Sequence, residues 1–278
     1  MHGKGAVILS VDFFSQPEER EEYKGLRRWG IFAANVFGPV KSRRFGRSLG
    51  INPLPIDEKV CSFDCPYCEC GRTLKEMNEL LRSSFPPVDK LESELRNALS
   101  QLKNELPDTL TITGNGEPTL HPKFEQVVEM TLRCREELTP SSKIAILTNG
   151  TTMGSERIAA ALNSVDIVML KLDAGSEETM NKINAPLVFW TPEKVKTLAG
   201  KLNRIIIQSI FLQGSVDNTS EKEIQSWLKC IAEIGPQSVV VYTLDRVPPA
   251  IGLKAVSKDF LKTILKQVNS LGINCEII

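Results

Sequence analysis

Short apolar runs alternate with amphipathic stretches from about residue 110 onward, and this alternation constrains the fold of the chain more than any other feature. Nearly continuous apolar strands separated by helices predict a parallel sheet covered on both faces. The runs with the length and composition of buried strands are 110–113, 144–148, 167–172, 205–210 and 239–242. The stretches with helical periodicity are 91–102, 124–138, 156–162, 192–202, 221–234 and 260–271.

A further strand leading into Cys61 would bring the number of βα units to six, and residues 273–278 have the composition of a terminal strand. A complete parallel barrel has eight such units in about 250 residues. The sequence therefore predicts an α/β fold, a partial parallel (β/α)6 barrel formed by a core domain of residues 56–278.

Residues 1–55 have a different character and are predicted to form an irregular N-terminal extension packed on the barrel. Between Lys24 and Arg47 there are seven lysines and arginines and no aspartate or glutamate. Glycine and proline residues in the same stretch predict irregular backbone. Aromatic residues are interleaved with the basic ones, so segment 24–47 has the composition of a surface that contacts RNA phosphates and bases. A solvated or structural face is the alternative.

The overall composition excludes some partners. The 278 residues carry no net charge, and the sequence pI is about 6.8, so no overall field attracts the chain to nucleic acid or anionic lipid. The apolar stretch 5–11 is far shorter than the roughly 20 residues of a membrane-spanning helix, and it lacks a cleavage site. Seven cysteines, three of them within eight residues, favour metal binding over a disulfide framework. We therefore expect a cytoplasmic protein without a membrane partner.

Cys61, Cys65 and Cys68 form one tight cluster with the spacing Cys-x-x-x-Cys-x-x-Cys. Three thiolates on one loop can each hold one iron of a 4Fe–4S cluster, which leaves the fourth iron open to a small molecule. Zinc is the main alternative, but a zinc site usually needs a second pair of ligands, and the cysteines after residue 70 are isolated. Cys70 is predicted not to be a ligand because its single-residue spacing from Cys68 gives awkward geometry.

With Tyr67 before its last cysteine, this loop resembles the signature of the radical S-adenosylmethionine (radical SAM) superfamily. The resemblance extends from about residue 35 to the end of the chain. Segments 37–44, 48–51, 68–72 and 114–122 resemble the branch of Fe–S oxidoreductases similar to the tRNA wyosine-base synthesis enzyme. The resemblance to the superfamily implies a 4Fe–4S cluster and S-adenosyl-L-methionine (SAM) as cofactors, with Tyr67 packed near the adenine. It also implies an electron donor such as a flavodoxin or ferredoxin.

The sequence Gly-Asn-Gly-Glu-Pro at 114–118 resembles the superfamily's Gly-Gly-Glu-Pro turn, which presents backbone groups to the methionyl ammonium. Asn115 replaces the first glycine of that turn and also tolerates left-handed backbone. The resemblance implies that Asn115, Gly116 and Glu117 bind SAM. Asn149, in the Asn-Gly pair after the next strand, is a further candidate, although loop chemistry alone explains such a pair.

Polar residues also follow the later strands. A period of two in the run 167–173 places Lys171 and Asp173 on one face, where they are costly to bury unless they pair or bind a ligand. We expect Asp173 to accept hydrogen bonds from the SAM ribose and Lys171 to meet the methionyl carboxylate or the substrate. A structural ion pair is the alternative. Gln208 is a further candidate for cofactor binding. Arg246 is predicted to clamp a carboxylate or phosphate, with a surface salt bridge as its alternative.

Three functions are compatible with these features. The first is a radical SAM enzyme that acts on RNA, with a tRNA base as substrate and segment 24–47 as the contact. The second is a radical SAM enzyme that acts on a small molecule or as a protein-radical activase. In both, SAM is cleaved reductively to a 5′-deoxyadenosyl radical that abstracts hydrogen from the substrate. The third is a non-enzymatic iron–sulfur or zinc protein.

Overall fold

Strands and helices alternate along the chain in a computed structural model that describes residues 30–102, 105–245 and 247–278. The strands are β1 Val36–Ser42, β2 Gly46–Ile51, β3 Thr109–Ile112, β4 Lys143–Thr148, β5 Ile167–Lys171, β6 Ile206–Ile210, β7 Leu212–Gly214, β8 Ser238–Tyr242, β9 Leu253–Ala255 and β10 Asn274–Ile277. The helices are α1 Met77–Leu80, α2 Val88–Leu102, α3 Phe124–Leu138, α4 Glu156–Asn163, α5 Glu177–Ile183, α6 Pro192–Ala199, α7 Glu221–Ile234 and α8 Lys258–Ser270.

The main sheet has the strand order β1-β2-β3-β4-β5-β6-β8-β10. Every neighbouring pair from β2 to β10 is parallel, and β1 pairs antiparallel with β2 at one edge. Helices connect the successive parallel strands, so the fold is the α/β partial barrel predicted from the sequence. Among the described residues β1 and β10 remain the two edges, and β7 and β9 form a separate antiparallel pair.

Alternation along the strands separates two apolar cores. On β5, Val168 and Leu170 pack in the large core between sheet and helices, whereas Met169 belongs to a small separate cluster. The other buried members of that cluster are Phe45, Ala145 and Val240. Because Lys171 follows Met169 by two residues, its side chain emerges on the same face of the sheet. The small cluster thus forms an apolar floor beneath the polar residues at the carboxyl ends of the strands.

The first parallel strand is not the one expected from the sequence. Instead of a strand leading into Cys61, the parallel part of the sheet begins with β2, and Val60 forms only an isolated bridge with Gly116. The prediction of irregular backbone within segment 24–47 is therefore wrong for β1 and for the start of β2, which are β-strands. The sheet crosses the predicted boundary at residue 55, and the division into extension and core stays a prediction. Residues 1–29 lie outside the described part of the chain.

The composition of β2 explains why this strand was missed. Its sequence Gly-Arg-Ser-Leu-Gly-Ile has few of the β-branched and aromatic residues that indicate strands. Gly50 is required by its partner on the neighbouring strand β1, because a Cβ atom there would lie 2.1 Å from the ring of Phe37. Burial of Leu49 and Ile51 in the large core then stabilises the strand. These are tertiary effects that override local propensity.

No helix in the described ranges combines the length and apolar character needed to cross a membrane.

Candidate active site

One cavity of about 330 Å³ lies at the carboxyl ends of the parallel strands, where α/β folds of this kind bind ligands. Its wall contains the predicted ligands Cys61, Cys65 and Cys68. The other predicted site residues in the wall are Tyr67, Gly116, Glu117, Asn149, Lys171 and Gln208. The fold therefore brings together side chains separated by almost 150 residues of sequence.

Hydrogen bonds and one ion pair hold the cysteine loop against the sheet. The Asp64 amide donates to the Asn184 carbonyl at 3.1 Å, next to the end of α5. The Asp64 carboxylate accepts from the Arg72 guanidinium and from the Thr73 amide, the latter at 2.7 Å. At the other side, the Asn149 side chain after β4 donates to Ser62 Oγ at 2.9 Å and lies 3.8 Å from Cys61 Sγ. Asn149 therefore positions the cysteine loop as well as lining the cavity.

The environments of the cysteine thiols differ. Burial raises the pKa of Cys61 and of Cys65, which keeps both thiols protonated until a cation replaces the protons. Hydrogen bonding from Cys70 holds the pKa of Cys68 well below its usual range, and a hydrogen bond from Lys59 acts in the same direction. The Cys70 thiol also lies in the cavity wall, 3.5 Å from the Gly114 carbonyl oxygen. Its assignment as a non-ligand stays a prediction.

The shape of the wall fits an iron–sulfur cluster. Within the described residues, no three His, Cys, Asp or Glu side chains converge closely enough to hold a single metal ion. In a 4Fe–4S cluster each thiolate binds a different iron, so thiols spread along one wall suit that group. Gly116, at φ +137°, lets the backbone before the cysteine loop approach closely, because a Cβ atom at residue 116 would lie 1.9 Å from the Val60 carbonyl oxygen. The residues present therefore fit the cluster.

The Glu117 carboxylate is buried at the edge of the cavity and accepts hydrogen bonds from two neighbouring segments. Its donors are Thr119 Oγ1 at 2.6 Å, Thr148 Oγ1 at 2.7 Å and the Asn149 amide at 2.6 Å. Burial raises the pKa of Glu117, and these hydrogen bonds oppose the shift. Glu117 thereby joins the turn after β3 to the end of β4, and it holds both where the resemblance places SAM.

Asn115 is completely buried, and its side chain points away from the cavity. Its Oδ1 accepts from the Phe32 amide at 2.7 Å, and its Nδ2 donates to the carbonyls of Phe32 and Pro55, each at 2.9 Å. These contacts fasten the segment before β1 to the turn after β3. The structure thus gives the Asn115 side chain an anchoring role, and a contact of this residue with SAM stays a prediction.

Lys171 and Asp173 share a network with Tyr67. The Lys171 ammonium lies 3.0 Å from the Tyr67 hydroxyl and 3.4 Å from Asp173 Oδ2. Asp173 accepts from the Tyr67 hydroxyl, from Asn184 Nδ2 at 2.7 Å and from the Ile210 amide at 3.1 Å. Lys171 faces the cavity, whereas the Asp173 side chain has no exposed surface and lies behind it. Asp173 is therefore fully engaged with protein donors, and its contact with ribose stays a prediction.

Burial and charge together set the ionisation of this network. Burial is the largest single effect and would lower the pKa of Lys171. The attraction of Asp173, followed by that of Tyr242 and the cysteine loop, together outweighs burial, and the net pKa is raised. Burial, followed by the negative charge of Asp173, raises the pKa of Tyr67 well above its usual value. The network consequently presents a protonated ammonium and a neutral phenol to the cavity.

Residues not singled out as site residues also line the cavity. The turn between β1 and β2 reaches towards the end of β8, where Arg43 pairs with Asp245 at 3.4 Å and the Arg44 guanidinium lies 5.0 Å from the Tyr242 ring centroid. Phe32 and Phe37 stack with ring centroids 3.8 Å apart. These residues belong to segment 24–47, whose basic and aromatic composition was evident in the sequence. The sequence did not indicate that the segment lies beside the cavity. The predicted ligand-binding residue Arg246 lies outside the described residues.

Lys59 was not singled out, although it lies in the cavity wall with the cysteines and is only 7% exposed. Its ammonium donates to the Gly71 carbonyl at 2.8 Å. In the sequence it follows Asp57 and Glu58 and has the appearance of one charge in a solvated loop. The one feature of the sequence that could have indicated a place in the site is its position two residues before Cys61.

Comparison with known proteins agrees with this geometry. The sequence profile described as the Radical SAM superfamily matches residues 59–212, more than half of the chain, including the three predicted cluster ligands. Together with the parallel sheet and the cysteine-lined cavity, this match defines a radical SAM enzyme, and the chain belongs to the Radical SAM superfamily. Its cofactors are accordingly a 4Fe–4S cluster and SAM. Enzymes of this class generally need a reductant.

Particular relatives are less informative about the substrate. A UPF0026 protein of Helicobacter pylori is 32% identical over 236 residues, which are 81% of this chain and 71% of that protein. A radical SAM methyltransferase from Sphaerobacter thermophilus has a TM-score of 0.62 at 13% identity, with 83% of this chain and 65% of that chain covered. TYW1 with a lysine-pyruvate adduct bound has a TM-score of 0.55 at 11% identity, with 81% of this chain and 73% of that chain covered. The two structural likenesses show the fold alone, and this chain spans less than two thirds of the methyltransferase.

Proposed function

We propose that the chain cleaves SAM reductively and directs the resulting radical to a substrate held in the cavity of about 330 Å³. The observation that carries the proposal is that Cys61, Cys65 and Cys68 share this cavity with the Lys171 ammonium. When bound, the cluster and SAM supply one electron and an S–C5′ bond, which yield methionine and a 5′-deoxyadenosyl radical that takes a hydrogen atom from the substrate. The electron comes from an external reductant.

The protein's own part is to bind, orient and exclude water. We assign Cys61, Cys65 and Cys68 to the cluster. The proposed SAM-binding residues are Tyr67, Asn115, Gly116, Glu117, Asn149, Asp173 and Gln208. Asn115 and Asp173 would act mainly by holding their neighbours, because their side chains are occupied by protein donors and acceptors. We assign the ammonium of Lys171 to a carboxylate of SAM or of the substrate, with Arg246 as a further group on the substrate side.

Binding of SAM to the cluster gives the first test. In anaerobically reconstituted protein reduced with dithionite, SAM should change the electron paramagnetic resonance (EPR) signal, because its amino and carboxylate groups chelate the open iron. Adenosine, which lacks the methionyl part that carries these two groups, serves as the control and should leave the signal unchanged. A signal that is indifferent to SAM at saturating concentration would contradict the proposed function.

We propose a tRNA base as the first candidate substrate, with a small molecule or a protein radical site as the alternatives. The stacked Phe32 and Phe37 rings and the Arg44 guanidinium in the cavity wall support it, since unpaired RNA bases are bound by aromatic and arginine planes. Of the other described basic residues of segment 24–47, Arg43 pairs with Asp245, Arg47 pairs with Glu105, and Lys41 lies outside the cavity wall. Arg44 is therefore the described residue best placed to meet a phosphate or base.

Retention of tRNA at increasing salt tests this candidate. Binding should weaken steeply with salt, and Arg44→Gln should reduce the slope of log K against log salt by about one. Arg47→Gln is the matched control, because Arg47 is paired with Glu105 outside the cavity wall. Binding that is independent of salt, or equally affected by both variants, would favour the small-molecule or protein substrates.

The same chemistry suggests the electron donor and the compartment. We propose a flavodoxin or ferredoxin as donor and a cytoplasmic location, because a low-potential cluster requires reducing surroundings.

A further inference from the structure

Lys59 is a buried cation within the cluster site. The residue is only 7% exposed, and it lies in the cavity wall together with Cys61, Cys65 and Cys68. Backbone pairing fixes its position, because the Val60 amide donates to the Asn115 carbonyl at 2.9 Å and the Glu117 amide donates to the Val60 carbonyl at 2.9 Å. The ammonium is thereby held beside the cysteine loop rather than in solvent.

The charge of Lys59 has no carboxylate partner within the described ranges. Its ammonium donates to the Gly71 carbonyl at 2.8 Å, which satisfies a hydrogen bond but does not balance a net charge. The nearby groups that can carry negative charge are the sulfur atoms of the cysteine loop, which lie in the same cavity wall as Lys59. Lys171 differs, because Asp173 lies 3.4 Å from its ammonium. A buried charge without such a partner is costly, so a counter-charge is expected.

The bound cluster supplies that counter-charge. With three thiolate ligands, a 4Fe–4S cluster carries roughly one net negative charge when oxidised and roughly two when reduced, and net charge is one of the factors that set its potential. A cation held at a fixed position in a dry wall stabilises the more negative state more strongly. The effect would be smaller for an exposed lysine because solvent screens it.

We infer that Lys59 is a positioning residue that stabilises the reduced cluster by charge and so raises its reduction potential. The inference rests on the cluster itself and is independent of the substrate. The alternative is that Lys59 serves only to bind the Gly71 carbonyl and to close the cysteine loop.

The test compares cluster potentials in reconstituted full-length variants by EPR-monitored redox titration, alongside iron and sulfide content. Lys59→Met removes the charge at similar length, Lys59→Gln removes it but keeps a donor, and Lys59→Arg keeps the charge. We expect the potential to shift to more negative values in the Met and Gln variants and to stay near the wild-type value in the Arg variant. Lys75→Met is the matched control, because Lys75 is exposed, pairs with Glu58 and is absent from the cavity wall.

Each outcome decides the inference. A fully loaded Gln or Met variant with the wild-type potential overturns it and leaves the cluster assignment intact. If the Met variant fails to load, the Gln variant decides, because it retains a hydrogen-bond donor at that position. If neither the Met nor the Gln variant binds the cluster and the Arg variant has the wild-type potential, a positive charge at residue 59 is required, which supports the inference. A negative shift in the Arg variant as large as that in the Gln variant contradicts it.

Discussion

Cys65→Ala is expected to lower the iron bound after reconstitution by more than about tenfold. Changes to residues that merely orient a metal ligand already cost about 10–100-fold in affinity, and Cys65 is a ligand itself. The thiol is 5% exposed and lies 3.6 Å from both the carbonyl oxygen and the Nδ2 atom of Asn184, so no other donor can move into its place easily. Iron and sulfide analysis with visible absorption measures the effect.

A matched cysteine provides the control. Cys134 is likewise buried, but it lies on α3 in the large core, with its sulfur 4.0 Å from that of Met130. Cys134→Ala should retain the wild-type iron content. Equal iron in the Cys65→Ala and wild-type proteins would show that Cys65 is not a ligand.

Asp173→Ala is expected to lower the free energy of unfolding by about 3–5 kcal/mol, the usual cost of removing one partner of a buried ion pair. The variant leaves the Lys171 ammonium without its carboxylate and removes an acceptor from Tyr67, Asn184 and the Ile210 amide. Urea denaturation of the cluster-free protein under reducing conditions measures the change, so that loss of cluster does not contribute.

Two further variants show whether the buried charge is the cause. Asp259→Ala removes an aspartate from an exposed pair with Lys262 and should change stability little. Adding Lys171→Met to Asp173→Ala should recover part of the loss, because the unpaired ammonium is then absent. If Asp173→Ala lowers the free energy of unfolding no more than Asp259→Ala does, the Lys171–Asp173 pair does not stabilise the fold.

The sequence predicted the elements in which local pattern and tertiary structure agree. Helices α3 and α7 lie at 124–138 and 221–234, as their periodicity indicated, because each has one apolar face that packs on the sheet. The alternation along β5 predicted one shared face for Met169 and Lys171, and in the structure Met169 belongs to the small inner cluster while Lys171 ends the strand. Spacing alone also grouped Cys61, Cys65 and Cys68, since residues this close in sequence must share one loop.

The features that were missed depend on contacts between distant parts of the chain. Strand β2 pairs in parallel with the remote strand β3, and α5 is a short helix whose first turn is held by Glu223 from α7. Asn115 was expected to face SAM, but its amide fastens residues 32 and 55. Nothing local in the sequence distinguishes an asparagine that binds a ligand from one that binds remote backbone.

Lys171 and Asp173 illustrate the same limit within the site. Their shared face followed from the period of two, but the position of Tyr67 between them depends on a loop more than 100 residues earlier. The division of labour, with Lys171 in the cavity wall and Asp173 behind it, is a consequence of that loop.

Formation of 5′-deoxyadenosine is the measurement that tests the central claim most directly. The reconstituted, dithionite-reduced protein is incubated with SAM, and the products are quantified by mass spectrometry. We predict that 5′-deoxyadenosine and methionine form in equal amounts, and that neither forms without dithionite or in Cys65→Ala. A fully loaded and reduced cluster that yields neither product would contradict the assignment of this cavity to reductive SAM cleavage.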